Sequence, residues 1–359
     1  MQQLSKKQFS VLWFLFLCLF ALQGCSQKTE IYTSSQQVVE GIRANYESGL
    51  ETLSMSLQRH YAQRLYRVTG DETFLPYQQR HAAHLVRLFN RDVTGLRSNA
   101  DYVSMQDRFM TEQRSMRTER QRQRAILFSR YPSMLYNTDL AFRLVQLEYY
   151  GLLSQLPENE VDLLKQVLKE ADFESFLLDE AAIRHYAAQA ANQVWFLYQL
   201  GVVDLREAFM QRFQEIYPLS GDALLSRSEF HNKIYGLTHI VIAASRYYQD
   251  HLPEDSFAWI TDYFIEQLPI LLETTTEDIL AEVGISLALT GQLDHPAVEQ
   301  IRQRLVAAYD PVSRMIPSPT GRTDFAQGEH RNVLAVMLLI WPERLFVGPH
   351  FDLDSLSIL

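Results

Sequence analysis

Histidine and tyrosine recur at four-residue intervals just before an apolar stretch of the sequence. His231, Tyr235 and His239 lead into the run "IVIAASRYY". Residues four apart share one face of a helix, so we expect the three side chains to lie in one stripe. Imidazole and phenol groups can exchange protons with a bound ligand. His239 with Tyr235 could therefore supply the base and the acid of an elimination reaction.

Two carboxylates mark a second apolar stretch. Asp278 and Glu282 lie one helical turn apart, and Glu282 falls within the run "ILAEVGI". A carboxylate in such a run either forms an ion pair or has a function. Like charges one turn apart predict a raised pKa for at least one of the two groups. Because they share one helix face they cannot flank a sugar, whereas Glu282 opposite Glu329 could do so in a glycoside hydrolase.

Polar groups accompany the other apolar stretches in the same way. Besides the residues above, the candidate ligand-binding or catalytic residues are His330, Arg331 and Asn332, with His231, His185 and Asn192 as secondary candidates. Each has a structural alternative, because first-turn acids cap helices and buried histidine or asparagine often hydrogen-bonds within a core. His231 and His239 lie two turns apart, so a metal would need ligands from elsewhere. We predict no metal and no other cofactor.

The elements that must position these side chains are helices. Apolar residues recur at intervals of three and four throughout the chain, and no stretch alternates as a strand would. Strongly apolar helices end at intervals of about 43 to 56 residues, near Gly95, Gly151, Gly201, Tyr248, Gly291 and Trp341. This period predicts about six helical hairpins. Alternation of apolar and amphipathic helices favours an all-α, α/α toroid-like array with inner and outer helices, and an open α-solenoid is the alternative.

The N-terminus reads as a targeting segment. Lys6 and Lys7 precede an apolar stretch that ends in "LQGC", residues 22–25. This sequence resembles the lipobox of bacterial lipoproteins, which implies cleavage before Cys25 and acylation of its thiol; an ordinary secretory signal is the alternative. Ser26 then favours the outer membrane, with the protein facing the periplasm. We expect a signal peptide over residues 1–24, a tether over 25–34 and a single all-helical domain over 35–359.

Composition narrows the classes of partner and chemistry. The net charge of −10 argues against a nucleic-acid partner. No cysteine follows Cys25, which excludes disulfides within the mature chain and a further cysteine nucleophile. Residues 51–130 nevertheless contain fourteen arginines and no lysine. This arginine-rich region is either a solvated helix face or a surface that contacts anionic lipid.

Three stretches, "YGLTHIVIAASRYYQ", "AEVGISLALTG" and "GEHRNVLA", resemble an uncharacterised family of gammaproteobacterial lipoproteins. The resemblance implies lipid anchoring and the helical fold, and it implies no activity. We therefore expect an envelope lipoprotein whose helical ring binds a ligand or partner, such as a glycan. The alternative is a carbohydrate-active enzyme, either a glycoside hydrolase or a polysaccharide lyase.

The lipobox interpretation makes Cys25 the sole membrane anchor. Cys25→Ala should block processing and abolish the mobility shift that acylation causes, because no other thiol of the mature chain can take the lipid. Metabolic labelling with a fatty acid and fractionation of membranes would measure both effects. A variant that is still cleaved, acylated and membrane-bound would refute the prediction.

Overall fold

The computed structural model describes residues 35–98 and 119–356, and within these ranges it contains helices and no β-strand. Its one β-type pairing there is an isolated bridge between Asp310 and Met315. The prediction of an all-α fold is confirmed.

The helices alternate between an inner and an outer position along the chain. In chain order they are α1 (residues 35–49), α2 (Met55–Thr69), α3 (Leu75–Ser98), α4 (Glu119–Arg130), α5 (Met134–Tyr149), α6 (Glu158–Glu170), α7 (Phe173–Leu177), α8 (Glu180–Gln199), α9 (Arg206–Ile216), α10 (Arg227–Ala244), α11 (Ala258–Glu266), α12 (Leu268–Thr274), α13 (Glu277–Leu289), α14 (Pro296–Ala307), α15 (Phe325–Leu339) and α16 (Leu353–Leu356). The inner helices are α2, α5, α8, α10, α13 and α15. They are the centres of six hairpin-like units.

The inner helices form a closed ring. Each of α5, α8, α10, α13 and α15 contacts the next, and α15 returns to contact α2. The remaining junction is bridged by α3, which touches both α2 and α5, and by the Gln63 side chain, whose Nε2 lies 3.5 Å from Oε1 of Gln146. The arrangement is thus a toroid rather than an open solenoid.

The first inner helix lies earlier in the chain than the sequence pattern predicts. Gly95, expected at its end, lies inside the outer helix α3. The first inner helix is α2, and it ends at Gly70, which adopts a left-handed conformation with φ 66°. The pattern fails here because α2 turns arginines towards the ring interior, so it lacks the apolar composition of a buried helix.

Two glycines let inner helices approach their neighbours closely. A Cβ atom on Gly236 of α10 would stand 2.5 Å from the Phe213 ring and 2.9 Å from Cβ of Ala187. Gly284 of α13 faces Leu338 of α15 in the same manner. The absence of a side chain at both positions allows the helices to crowd around one axis.

The long loop between α14 and α15, residues 308–324, is fastened to α15. Backbone N–H and C=O of Ile316 bond to the Asn332 side chain at 2.7 and 3.2 Å. Met315 and Ile316 are buried. The loop is therefore part of the packed structure.

The C-terminal segment, residues 345–356, crosses the C-terminal ends of several inner helices. The backbone N–H of Phe346 donates to the carbonyl of Arg67, that of Gly348 to Gln249 Oε1, and that of Phe351 to the carbonyl of Tyr150. The segment thus ties the ends of α2 and α5 to the turn after α10.

The packing around Gly236 can be tested by one methyl group. Gly236→Ala should lower the free energy of unfolding by about 1–3 kcal/mol, because the Cβ of Ala187 belongs to a rigid helix and cannot rotate away. Gly221→Ala, where the new Cβ would meet only the Pro218 ring at 3.1 Å, is the control. Chemical denaturation measures both, and equal small effects would contradict the close approach.

Candidate functional site

A cavity of about 540 Å³ lies between the inner helices. Its wall is formed by Arg59, His60, Arg64, Gln121, Arg124, Phe142, Ala188, Gln189, Tyr235, His239, Tyr247 and His330. A second cavity of about 420 Å³ shares Arg124, Phe142, Gln189 and Tyr247 with the first. The two form one axial cleft. We call the first cavity its cationic compartment and the second its aromatic compartment.

Glu282 lies behind the wall of the cationic compartment. Its side chain is 1% exposed, its Oε2 accepts a 2.7 Å hydrogen bond from Thr238, and its Oε1 lies 3.6 Å from Nε2 of His239 and 3.5 Å from Nε2 of His330. Burial disfavours the charged form, but the two imidazoles outweigh it and hold the pKa of Glu282 well below its usual range. For this residue the expectation of a raised pKa was wrong, because the neighbours that dominate are histidines and not Asp278.

Glu329 is the carboxyl that is held neutral. It is fully buried, and His60 Nδ1 lies 2.9 and 2.8 Å from its two oxygens. Burial raises the pKa of Glu329 to about 8, although Arg64 and Arg59 oppose the shift. Burial, with Arg64, likewise lowers the pKa of His60 well below its usual value. Glu329 and His60 therefore meet as a carboxylic acid and a neutral imidazole.

A chain of hydrogen-bonding groups joins the two carboxyls. Nε2 of His60 lies 3.3 Å from Nδ1 of His330, whose Nε2 faces Glu282. One proton order satisfies every contact: Glu329 donates to His60, His60 donates to His330, and His330 points its remaining N–H at the ionised Glu282. Two carboxyls with pKa values pushed apart are typical of sites that move protons.

Tyr235 and His239 reach the cavity from α10. The Tyr235 hydroxyl donates a short hydrogen bond to Asp278, and His239 Nδ1 lies 3.0 Å from Oδ1 of Asn192. His231, in contrast, turns to the outer layer, where Nε2 lies 2.9 Å from the carbonyl of Thr274. Of the three residues expected on one helix face, Tyr235 and His239 therefore lie in the site and His231 lies outside it.

The remaining candidates support the site from outside the cleft. Asn332 and Arg331 contact the carbonyl of Ile316 in the long loop. The backbone carbonyl of His185 accepts a 2.9 Å hydrogen bond from Nε of Arg124. None of these three lines either cavity.

Three arginines of the arginine-rich region line the cationic compartment: Arg59, Arg64 and Arg124. Within the described ranges neither Arg59 nor Arg64 forms an ion pair with a carboxylate. Arg64 is only 5% exposed, and Nε of each guanidinium has no hydrogen-bond partner among the described residues. The rings of Phe142 and Tyr248 hold them at 5.8 and 5.7 Å. These cations have no anion in the part of the chain that the structure describes.

Tyr247 separates and lines both compartments. It stands in a left-handed turn of three consecutive residues, Arg246, Tyr247 and Tyr248, with φ between 52° and 67°. Side chains rarely adopt this conformation, and it costs about 1–2 kcal/mol per residue. Ser245 secures the turn, since its hydroxyl accepts from the N–H of Tyr248 at 3.0 Å. Burial raises the pKa of Tyr247 well above its usual value, so its phenol stays protonated at neutral pH.

Sequence reasoning missed Arg59, His60, Arg64 and Tyr247. The first three lie on α2, within the arginine-rich region. The spacing of four residues places His60 and Arg64 on one helix face, and Arg59 directly precedes His60. Tyr247 lies in the quoted stretch "IVIAASRYY", and no pattern of residue types predicts a left-handed turn there. The signal that could have identified the residues of α2 is its polar face, which is unexpected on a helix that belongs to a repeat of buried helices.

Neither a metal centre nor a membrane span is found within the described ranges. No three histidine, cysteine, aspartate or glutamate side chains there are grouped so that they could hold a metal ion. Among the same residues no helix is long and apolar enough to cross a bilayer.

Comparison with known proteins adds a family and no activity. Residues 35–356 match the family described as "Domain of unknown function (DUF3541)". No curated protein and no solved structure matches the chain.

The raised pKa of Glu329 predicts how the stability of the protein depends on pH. Its raised pKa means that the native state keeps a proton that the unfolded chain loses, so stability should fall as pH rises towards about 8. His60 acts in the opposite sense, but only below about pH 6.5, the value of a free histidine. The free energy of unfolding should therefore fall between pH 6.5 and 8, and Glu329→Gln should remove up to about 2 kcal/mol of that fall.

Melting temperatures of the wild type and Glu329→Gln at the two pH values measure this effect. Glu158→Gln, on the exposed start of α6, is the control and should leave the pH difference unchanged. A Glu329→Gln variant with the same loss as the wild type would show that Glu329 is ionised in the native protein.

Proposed function

The chain belongs to the DUF3541 family, whose description names no activity, and we propose from the cleft itself that the ring binds an anionic glycan. The observation that carries the proposal is the pair of arginines without a carboxylate partner, Arg59 and Arg64. Arg64 is buried and Arg59 is half-buried. An uncompensated buried cation costs several kcal/mol, so a cavity that holds this pair is suited to a ligand that brings the negative charge.

The charges around the cavity favour an anion. Glu329 is a neighbour of Arg59 and Arg64, but it is protonated at neutral pH and contributes no charge. Glu282 is already surrounded by His239, His330 and Thr238. Guanidinium groups offer planar, paired donors that suit carboxylate and phosphate. The cationic compartment is therefore complementary to a carboxylate-bearing or phosphate-bearing unit.

The aromatic compartment favours a sugar chain over a small anion. Ring faces and amide groups meet there, from Phe128, Phe142, Tyr186, Phe196, Tyr247, Gln189, Asn192 and Gln193. Aromatic faces pack on the apolar faces of sugar rings, while amides donate to and accept from hydroxyl groups. A ligand that fills both compartments has an anionic unit joined to a hydroxyl-rich unit.

We place this activity in the bacterial envelope. The resemblance of residues 22–25 to a lipobox supports a protein held by acylated Cys25, in the outer membrane and facing the periplasm. Contact of the arginine-rich region with anionic lipid belongs to the same proposal. Such contact would rest on exposed residues such as Arg87, Arg91 and Arg97 of α3, because Arg64 and Arg67 are buried. Residues 99–118 of this region lie outside the described ranges.

Binding and stability should change in opposite directions when the cation is removed. Arg64→Met should weaken binding of an anionic oligosaccharide by roughly 10- to 100-fold, since a hydrogen-bonded charge contributes about 1.5–3 kcal/mol. The same change should raise the melting temperature of the free protein, because an uncompensated charge leaves the interior. Calorimetry on the full chain in detergent measures the first effect and thermal unfolding the second.

The oligosaccharides should include a uronate polymer fragment, a phosphate-bearing glycan and a neutral glycan of equal length. Arg212→Met, on the outer helix α9 beside Glu215, is the matched control and should leave binding unchanged. Equal affinity for the neutral and anionic glycans, or an Arg64→Met variant that binds normally and melts lower, would overturn the proposal.

A further inference from the structure

We propose that the cleft cleaves its ligand by β-elimination, with His239 as the base and Tyr247 as the acid, on a uronate-containing glycan. This inference rests on the proposed binding of an anionic glycan and adds a reaction to it. It assigns a catalytic role to Tyr247, and it narrows the anion to a carboxylate, because elimination needs an acidic proton on the carbon beside that group.

The carboxyl groups are placed poorly for direct hydrolysis. Glu282 is 1% exposed and Glu329 is fully buried, and neither lines the cavity. Hydrolysis by two carboxyls requires both to reach the glycosidic bond or a water beside it. The proton-exchanging groups that line the cationic compartment are imidazoles and phenols. The aromatic compartment has one carboxyl, Asp139, and Arg143 holds it in an ion pair. The cleft therefore has the groups for proton abstraction, while its carboxyls orient them.

His239 lies between the oxygens of Glu282 and Asn192. Glu282 lies behind its Nε2, at 3.6 Å, so that the carboxylate can stabilise the positive charge that the ring acquires. Nδ1 faces Asn192, a residue of the aromatic compartment, at 3.0 Å. Because an amide oxygen accepts, Nδ1 donates to it in the free protein. In the proposed reaction the substrate displaces Asn192, and Nδ1 gives its proton to solvent before it acts as the base. His239 thus stands where the two compartments meet.

Tyr247 stands at the same junction and holds a proton to give. No described residue forms a hydrogen bond with its hydroxyl, although the side chain lines both compartments. The left-handed turn fixes its direction at a cost in backbone strain, and strain of this kind is found at functional sites. The bond between the anionic unit and the next sugar would lie beside this hydroxyl.

The reaction balances without water or an oxidant. Arg59 and Arg64 bind the uronate carboxylate and stabilise the charge that develops on it. His239 takes the proton from the carbon that bears this carboxylate, and the electron pair forms a double bond to the adjacent ring carbon. The bond from that carbon to the glycosidic oxygen breaks, and the oxygen takes the proton of Tyr247. Return of the proton from His239 to Tyr247 through solvent restores both groups.

The experiment follows binding and cleavage separately with the full chain in detergent. The probes are alginate, polygalacturonate and a glucuronate-containing polymer. Binding is measured by calorimetry, cleavage by new reducing ends, and elimination by the ultraviolet absorbance of the conjugated unsaturated uronate. For the probe that binds, we expect both cleavage signals to rise together.

Two conservative variants test the roles. Tyr247→Phe and His239→Gln should each lower kcat by on the order of 10²–10⁴-fold, the usual contribution of an acid or base, while binding persists. The controls are Tyr198→Phe and His251→Gln, both exposed and outside the cleft, which should leave kcat unchanged. Circular dichroism confirms that each variant is folded.

Each outcome decides between the proposals. Reducing ends without unsaturated product would mean hydrolysis and would overturn elimination while leaving binding intact. A uronate probe that binds without being cleaved would also overturn elimination alone. Full activity of folded Tyr247→Phe would remove that residue from the reaction. Failure of every anionic glycan to bind would overturn the proposed function itself.

Discussion

The centre of this ring depends on the contacts that keep the buried Glu282 ionised. A carboxylate with 1% exposure can stay ionised only if neighbouring groups replace its hydration, and here the replacements come from two other inner helices. Thr238 and His239 belong to α10, and His330 belongs to α15. One charge thus fixes the relative positions of three helices and the directions of two imidazoles. The cavity wall is a result of that requirement.

The same principle separates the two carboxyls of the site. Glu282 meets histidines and stays ionised, whereas Glu329 meets a buried imidazole beside two guanidinium groups and keeps its proton. The positive charge of Arg59 and Arg64 is consequently left without compensation within the described ranges. This uncompensated charge lowers the stability of the free protein, and the proposed anionic ligand would restore it. Binding sites often lower stability in this way.

The sequence predicts much of this structure and fails at identifiable places. Periodicity and glycine spacing identify five of the six inner helices, because their buried faces are apolar. The first, α2, is missed because its inner face carries Arg59, His60 and Arg64 instead. Tyr235 and His239 can be found because they lead into an apolar run at helical spacing, and Glu282 because it interrupts one. Tyr247 cannot, since its role follows from a backbone conformation that no local pattern of side chains encodes.

The C-terminal segment gives the ring a direction. Its bonds to Arg67, Gln249 and Tyr150 lie across the C-terminal ends of inner helices, two residues from the Tyr247 that lines the cleft. Among the described residues, this segment therefore runs across that face of the ring from α2 and α5 to the turn after α10. A polymer that enters from the opposite face would meet this segment, so it would enter and leave by that one face. A long glycan would be engaged at its end or at a bend, and release of one fragment would have to precede entry of the next.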